Sequence, residues 1–409
     1  MRQERGRSWR RVVSGQSKAI NHGGHGEHGE KPLQHLPLTF PVCPVPPVVN
    51  SFSAALIHWH KSHGRHDLPW QNTTDPYRVW LSEIMLQQTQ VAAVIPYYAR
   101  FLARFAQLAD LAAAPVDEVM RLWSGLGYYA RARNLHRCAQ SVMRDHGGHF
   151  PQHPLALAAL PGIGRSTANA IATFCFAAHA PILDGNVKRV LCRAFGIAGF
   201  PGERAVEQRL WALAAELMPA HEGARYIQAQ MDLGTAVCTR SKPRCEHCPL
   251  AATCVARATG QQATLPQPRP RRIIPERSAR LLVLQDRAGR VLLEQRPPAG
   301  IWGGLLSLPE LPAQRDVAEF VANVLGLKLI TVSPARPAGS TLGVSTFVHT
   351  FTHFRLHITP LLCTVESSET MQEPTRQWFT SDELCGAALP APVRRILAVP
   401  DQPTAPAGR

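Results

Sequence analysis

A chain of 409 residues is longer than one ordinary hydrophobic core accommodates, so two domains with tails are expected. Its hydrophobic share of 45% suits a globular protein, and 44 Lys and Arg against 29 Asp and Glu leave a net charge of +15 that favours a polyanionic partner. No apolar run is long enough to span a bilayer, and the start lacks a short apolar core with a small-residue cleavage site; membrane and secreted classes are set aside, and the expectation is an intracellular, cytoplasmic protein, nucleoid-associated if bacterial.

Residues 1–50 carry Arg2, Arg5, Arg7, Arg10 and Arg11, a His–Gly run from His22, and prolines from Pro41 to Pro47. This composition reads as a disordered tail rather than as a metal site or an organelle address. From Phe52 to about Val255, apolar residues recur at three-and-four spacing and β-branched runs are scarce, which predicts a helical domain over 51–258. One of its helices starts at Asp75-Pro76, a capping residue followed by the proline favoured at the first helical position. On that helix Glu83 shares a face with Val79, Trp80 and Gln87. Helix geometry therefore turns the carboxyl toward the interior, where its ionised form is disfavoured and a proton is retained for general-acid work.

Residues 155–160 continue the helical pattern, which stops at Pro161-Gly-Ile-Gly164 and resumes at Arg165. In this helix, hairpin and second helix, the turn Pro161, Gly162, Ile163, Gly164 and the first-turn Ser166 would form a phosphate site, in which the residues after Pro161 aim free backbone N–H groups outward. Some twenty residues later Asp184 stands just ahead of another helical run. Alone it reads as a helix cap; beside Glu83 it becomes the partner in a pair of carboxylates. Cys238, Cys245, Cys248 and Cys254, spaced C-x6-C-x2-C-x5-C in a polar loop, form a metal or cluster site, and spacing alone does not choose between zinc and iron–sulfur. Cys43, Cys138, Cys175, Cys192, Cys363 and Cys385 show no such clustering and are expected to be inert.

The basic, proline-rich stretch Pro266–Arg272 marks a linker over 259–277. Beyond it, residues 280–285 and 290–296 flank the turn Asp286–Gly289 as two strands, and residues 354–362 read as a third. An α+β domain over 278–398 and a second disordered tail over 399–409 complete the expected organisation.

Together, the hairpin Leu160-Pro-Gly-Ile-Gly164, Asp184 and the four-cysteine loop resemble the endonuclease III superfamily of DNA glycosylases. Within it, the strings Trp80–Val91, Gly125–Asn134 and Leu183–Arg189 resemble the MutY adenine glycosylases, over nearly all of 52–397. The fold class implied is multidomain: an all-α helix-hairpin-helix glycosylase domain with an iron–sulfur loop, then a smaller α+β Nudix-like domain. The resemblance implies a [4Fe-4S] cluster on Cys238, Cys245, Cys248 and Cys254, and as partner double-stranded DNA containing A:8-oxoguanine or A:G mispairs. We expect a monomer.

In the implied mechanism adenine is flipped out of the duplex, Glu83 protonates the departing purine, Asp184 stabilises the cationic sugar and Asn186 helps to hold the site. Ser166 stands where relatives that also cut the backbone carry a Schiff-base lysine, so little or no lyase activity is expected. Gln87, Gln88 and Tyr128 match residues that wedge into the duplex around the lesion pair. In the second domain, residues 318–326 offer one Glu where metal-binding Nudix hydrolases need an acidic helix, which implies recognition without hydrolysis. Phe351, Thr352 and His353 resemble the family's Phe-Ser-His loop at 8-oxoguanine, with threonine in place of serine. Three rivals fit less well: an endonuclease III type enzyme for oxidised pyrimidines lacks support at Ser166, a non-catalytic iron–sulfur DNA binder would not need both carboxylates, and a Nudix pyrophosphatase would need the acidic helix.

Overall fold

A computed structural model describes residues 48–270, 274–298, 300–333, 345–351, 353–366 and 375–399. The expected tails, apart from residues 48–50 and 399, lie outside these residues, as do Cys43 and Thr352. Helix formation begins at Val48, inside the segment read as a tail.

The helical half runs α1 (Val48–His63), α2 (Pro76–Leu86), α3 (Val91–Arg104), α4 (Leu108–Ala113), α5 (Val116–Trp123), α6 (Ala130–Asp145), α7 (Pro154–Ala158), α8 (Arg165–Phe176), α9 (Gly185–Ala194), α10 (Arg204–Glu216), α11 (Gly223–Ala236) and α12 (Val255–Ala258). Local chemistry sets several of the ends. The Asp75 carboxylate accepts from the Tyr77 N–H at 2.9 Å with Pro76 at the first position of α2, satisfying a donor that the helix itself leaves unpaired. Between α7 and α8 the chain reverses at Gly162, whose φ of +78° and close approach to Asn134, 2.7 Å from an added Cβ to that side chain, leave room for glycine alone.

Two apolar cores hold these helices. One gathers Trp80, Phe101, Phe105 and Trp123 under α2, α3, α5 and α6; the other gathers Leu56, Leu191, Tyr226 and Ile227 under α1, α9 and α11. Helix α8 joins them, giving Ala168, Ile171 and Ala172 to the first and Ala170 to the second. A cleft therefore opens beside α8, with α2 on one wall and α9 and α11 on the other. Each large side chain so buried contributes roughly 1.5–3 kcal/mol, which makes both walls rigid.

The second half contains β1 (Glu276–Gln285), β2 (Val291–Gln295), β3 (Leu306–Ser307), β4 (Glu310–Leu311), α13 (Val317–Asn323), β5 (Lys328–Ser333), β6 (Phe347–Thr350), β7 (Arg355–Glu366), β8 (Arg376–Phe379), α14 (Ser381–Gly386) and α15 (Ala391–Ile396). Sheet order is β3-β2-β1-β7-β5, with β4 added to β1, β6 to β7 and β8 to β2. The central pair β1–β7 is parallel, Glu276 facing Arg355 through Gln285 facing Thr364, while β1–β2 is the antiparallel hairpin expected across Asp286–Gly289. An all-α half followed by an α+β half is the expected fold class.

The stretch read as a linker is not free along its length. Leu265 is buried and its carbonyl accepts from Arg193 Nε at 2.8 Å, while Gln267 Oε1 accepts from the Gly199 N–H at 3.1 Å. An apolar side chain, a backbone carbonyl and a side-chain amide thus fasten a segment whose composition alone suggests an open connection. The two halves also share a seam: Leu305, from the second half, is fully buried in the first apolar core of the helical half.

Candidate active site and cysteine loop

Glu83 projects from the middle of α2, where Val79 and Trp80 anchor the same face in the core. Its carboxyl reaches the cleft wall, and burial, then the nearby Asp184, push its pKa up from 4.5 to about 7. It faces a cavity of about 560 Å3 that it lines with Asp184, Asn186, Ser166, Gln87 and Arg65. A base and its sugar fit a space of this size.

Asp184 is the N-cap of α9 and a cavity residue at once. Its Oδ1 accepts from the Val187 N–H at 2.7 Å and its Oδ2 from Asn186 Nδ2 at 3.1 Å. Burial pushes its pKa up, opposed by these bonds and by Arg189, with a net rise. Asn186 is held in turn, its Oδ1 accepting from Arg189 Nη2 at 2.8 Å. Close packing of α11 on this corner depends on Gly234, where a Cβ would lie 2.6 Å from that of Asn186. Ser166, in the first turn of α8, accepts the Leu183 N–H at 3.0 Å and so fastens the segment that carries Asp184.

Pattern reading missed the opposite wall. Arg65 lines both this cavity and an adjoining one of about 220 Å3, and Glu83 stands at their junction. The buried Asp232 on α11 holds Arg65 by accepting from its backbone N–H at 2.8 Å and from its Nε at 2.9 Å, and also accepts from Gln228 Nε2 at 2.9 Å. His60 Nε2 stands 3.3 Å away. Burial alone would raise the pKa of Asp232, but the bonds from His60 and Arg65 bring it below the ordinary carboxylate value. Residues 167 positions apart give no local signal of such a pair.

The residues matched to duplex wedges occupy two neighbouring turns. Gln87 and Gln88 lie between α2 and α3, where Gln88 is exposed with φ of +58°. Tyr128 lies between α5 and α6 with φ of +50° and 47% of its surface exposed. Arg131, itself buried, ties the turns together: its guanidinium donates to the carbonyls of Met85 and Gln87 at 2.7 Å each and to that of Gly127 at 3.1 Å. At the hairpin Ile163 is buried while Gly164 caps α8 without a side-chain acceptor, which leaves first-turn N–H groups of that helix without a side-chain cap.

Cys238, Cys245, Cys248 and Cys254 line one small cavity together with Arg193 and Arg257. Among the described residues no three His, Cys, Asp or Glu side chains are gathered as the ligands of one ion. Burial raises the thiols of Cys238 and Cys248, the latter to about 11, and neighbouring sulfurs raise these two further. Positive charge offsets this, and Arg193 Nη1, 3.5 Å from Cys238 Sγ, supplies part of it. The donor set, sulfur throughout, fits an iron–sulfur group.

In the second half, the Phe351 ring stacks on Phe354 at 4.4 Å and lies 6.1 Å from Trp302, while the exposed His353 stands 6.3 Å from Phe351. Thr352 falls outside the described residues. On α13, Asp316 is spent as the cap, accepting from the Ala318 and Glu319 N–H groups, and Glu319 pairs with Arg315 at 3.0 Å. No helix among the described residues is long and apolar enough to cross a membrane.

Residues 81–216 match the family model described as HhH-GPD superfamily base excision DNA repair protein, and residues 280–399 match a NUDIX domain model. The adenine DNA glycosylase of Buchnera aphidicola subsp. Acyrthosiphon pisum is 34% identical over 348 residues, 85% of this chain and 96% of that protein. That of Homo sapiens is 32% identical over 406 residues, 86% of this chain and 74% of that protein. Among solved structures, a thermostable thymine-DNA glycosylase is 28% identical with a TM-score of 0.48, covering 52% of this chain and 97% of that one.

Proposed function

The chain belongs to the adenine DNA glycosylases of base-excision repair, and we propose that it acts as a monomer on adenine opposite 8-oxoguanine, and on A:G pairs, cutting only the glycosidic bond. Its domains in this reading are a glycosylase domain over 51–258, a connection over 259–277 and a recognition domain over 278–398, a division supported by the two family-model matches.

One observation carries the chemistry. Glu83, kept protonated near neutrality by burial, shares a cavity with Asp184, whose carboxylate is held by the Val187 N–H and Asn186. An adenine extruded from the stack enters that cavity. Glu83 donates its proton to the leaving purine while Asp184, oriented by the α9 cap and by Asn186, faces the sugar as positive charge develops. Water then completes hydrolysis. Ser166 has no amine with which to capture the sugar, and its hydroxyl is already engaged with Leu183, which supports a glycosylase without lyase activity.

Binding divides between the halves. The hairpin Pro161-Gly-Ile-Gly164 with the first turn of α8 takes a backbone phosphate, and Gln87, Gln88 and Tyr128 enter the duplex beside the flipped base, a role supported by the exposure of Gln88 and Tyr128 on turns that Arg131 stiffens. Phe351, Thr352 and His353 read the oxidised guanine opposite. Cys238, Cys245, Cys248 and Cys254 would hold a [4Fe-4S] cluster, whose contribution is to brace the loop that packs against α9. Single-turnover excision from duplexes bearing A opposite 8-oxoguanine, G, C or T tests this reading: fastest turnover is expected opposite 8-oxoguanine, and equal rates on all four would refute the assigned substrate.

A further inference from the structure

The turn that presents Tyr128 is shared property of the two domains. Between Trp123 and Ala130 the chain takes left-handed backbone at Gly125, Gly127 and Tyr128, with φ of +96°, +76° and +50°. A non-glycine residue in that region is strained and keeps its conformation only where its surroundings enforce it. From the helical domain the enforcement comes through the Tyr97 hydroxyl, which donates to the Ser124 carbonyl at 2.8 Å, and through Trp123 Nε1 and Arg131, which donate to the Gly127 carbonyl.

The other side of the turn faces the C-terminal domain. Arg394 on α15, only 5% exposed, donates from Nη2 to Ser124 Oγ at 3.2 Å and to the Ala387 carbonyl at 3.0 Å. The Ser124 hydroxyl passes this on to the Leu389 carbonyl at 3.3 Å, and the Tyr129 hydroxyl reaches the same carbonyl at 3.4 Å while accepting the Gly125 N–H at 3.2 Å. Ser124 and Tyr129 bracket Tyr128, so both ends of the turn are fastened to a domain whose assigned task lies at the opposite base. A buried guanidinium is a costly way to join two surfaces, and it fixes direction as well as distance through its planar fork.

We propose that Arg394 is a positioning residue for base extrusion: through Ser124 it lets the C-terminal domain hold the Tyr128 turn in its duplex-entering conformation. This inference rests on the reading of Tyr128 as a wedge. Domain docking and adenine extrusion are then coupled through the buried contact of Arg394 with Ser124, beside the bonds that Ser124 and Tyr129 make to the Leu389 carbonyl, and loosening the Arg394 contact slows flipping before it alters the chemistry at Glu83.

The test uses the full-length protein with Arg394→Met, Arg394→Lys, Ser124→Ala, Tyr128→Ala and the double variant Arg394→Met/Tyr128→Ala. Flipping is read from the fluorescence of 2-aminopurine in the adenine position, excision from single-turnover rates, and folding from thermal melting. Arg394→Met should slow flipping and excision together by about tenfold, the rate equivalent of one charge-assisted hydrogen bond, with Ser124→Ala falling in the same direction and Arg394→Lys recovering part of the loss. In the double variant the losses should not multiply, because both act through one turn. Multiplicative losses, or parent-like flipping in both Arg394→Met and Ser124→Ala while Tyr128→Ala is slow, would overturn the positioning role and leave the wedge reading standing. Parent-like flipping in Tyr128→Ala would remove the wedge reading and this proposal with it. If Arg394→Met melts too low to assay, Ser124→Ala with its own Tyr128→Ala double variant decides the matter.

Discussion

Replacing Glu83 by glutamine keeps the shape of the side chain and removes its proton, and the structure gives the consequence a size and a pH window. At pH 7 a carboxyl with the ordinary value of 4.5 is protonated about 0.3% of the time, whereas one raised to about 7 is protonated about half the time, a gain of roughly 150-fold in the acid form. Excision by the parent should therefore be flat in acid and decline toward tenfold per pH unit above 7. The Glu83→Gln variant should lose about 10²–10⁴-fold in rate at pH 7 and below, a deficit that narrows as the parent loses its acid form at higher pH, while still binding the lesion duplex. Stability moves the other way. Below pH 4.5 both folded and unfolded parent carry the proton and the amide variant has no advantage. As pH rises toward 7 the unfolded chain ionises first, which favours unfolding, and above 7 the folded parent bears the whole cost, at most about 3 kcal/mol for a rise of this size. Melting curves at pH 5 and pH 8 should then show the variant gaining on the parent far more at the higher pH, with about a quarter of the effect already present at pH 5. Parent-like excision by the variant, or a melting difference that is the same at both values, would refute the assignment of Glu83 as the buried acid.

With serine at position 166, borohydride should trap little enzyme–DNA adduct and strand cutting should await added base; efficient trapping would sink the monofunctional reading. Freshly purified protein should be brown with about four irons per chain, and stoichiometric zinc without iron would replace the cluster assignment. His353→Ala should lower the preference for A:8-oxoguanine over A:G by roughly 1–3 kcal/mol, measured as a ratio of single-turnover rates, and equal losses on both duplexes would reduce the loop to general DNA affinity. Asp232→Asn should destabilise the fold by about 3 kcal/mol at pH 7, since it weakens the buried anchor of Arg65; because the carboxyl of Asp232 sits below its ordinary value, the deficit should shrink as pH falls through that range, and a chemical denaturation deficit independent of pH would count against the charged pair.

Much of the site was legible because its signals are local. Asp75-Pro76 starts α2 through a contact two residues long, the glycine at 162 is demanded by one left-handed turn, the strand pair around Asp286–Gly289 closes over a short loop, and four cysteines within seventeen residues need no tertiary information to be grouped. Glu83 could be turned inward by counting along its own helix, and family resemblance joined it to Asp184. Tertiary structure alone decided the rest. It made Asp184 both a cap and a cavity carboxylate, roles that a helix-start signal cannot separate, and it brought Arg65 to Asp232, fastened Leu265 under Arg193, paired β1 in parallel with β7, and set Arg394 against Ser124. Composition predicts a free linker where the fold finds a buried leucine, and it is silent on a guanidinium that serves a turn 270 residues away. Such contacts form only when segments far apart in the chain are packed together, so their specificity resides in the geometry of the packed surfaces and not in any spacing along the chain.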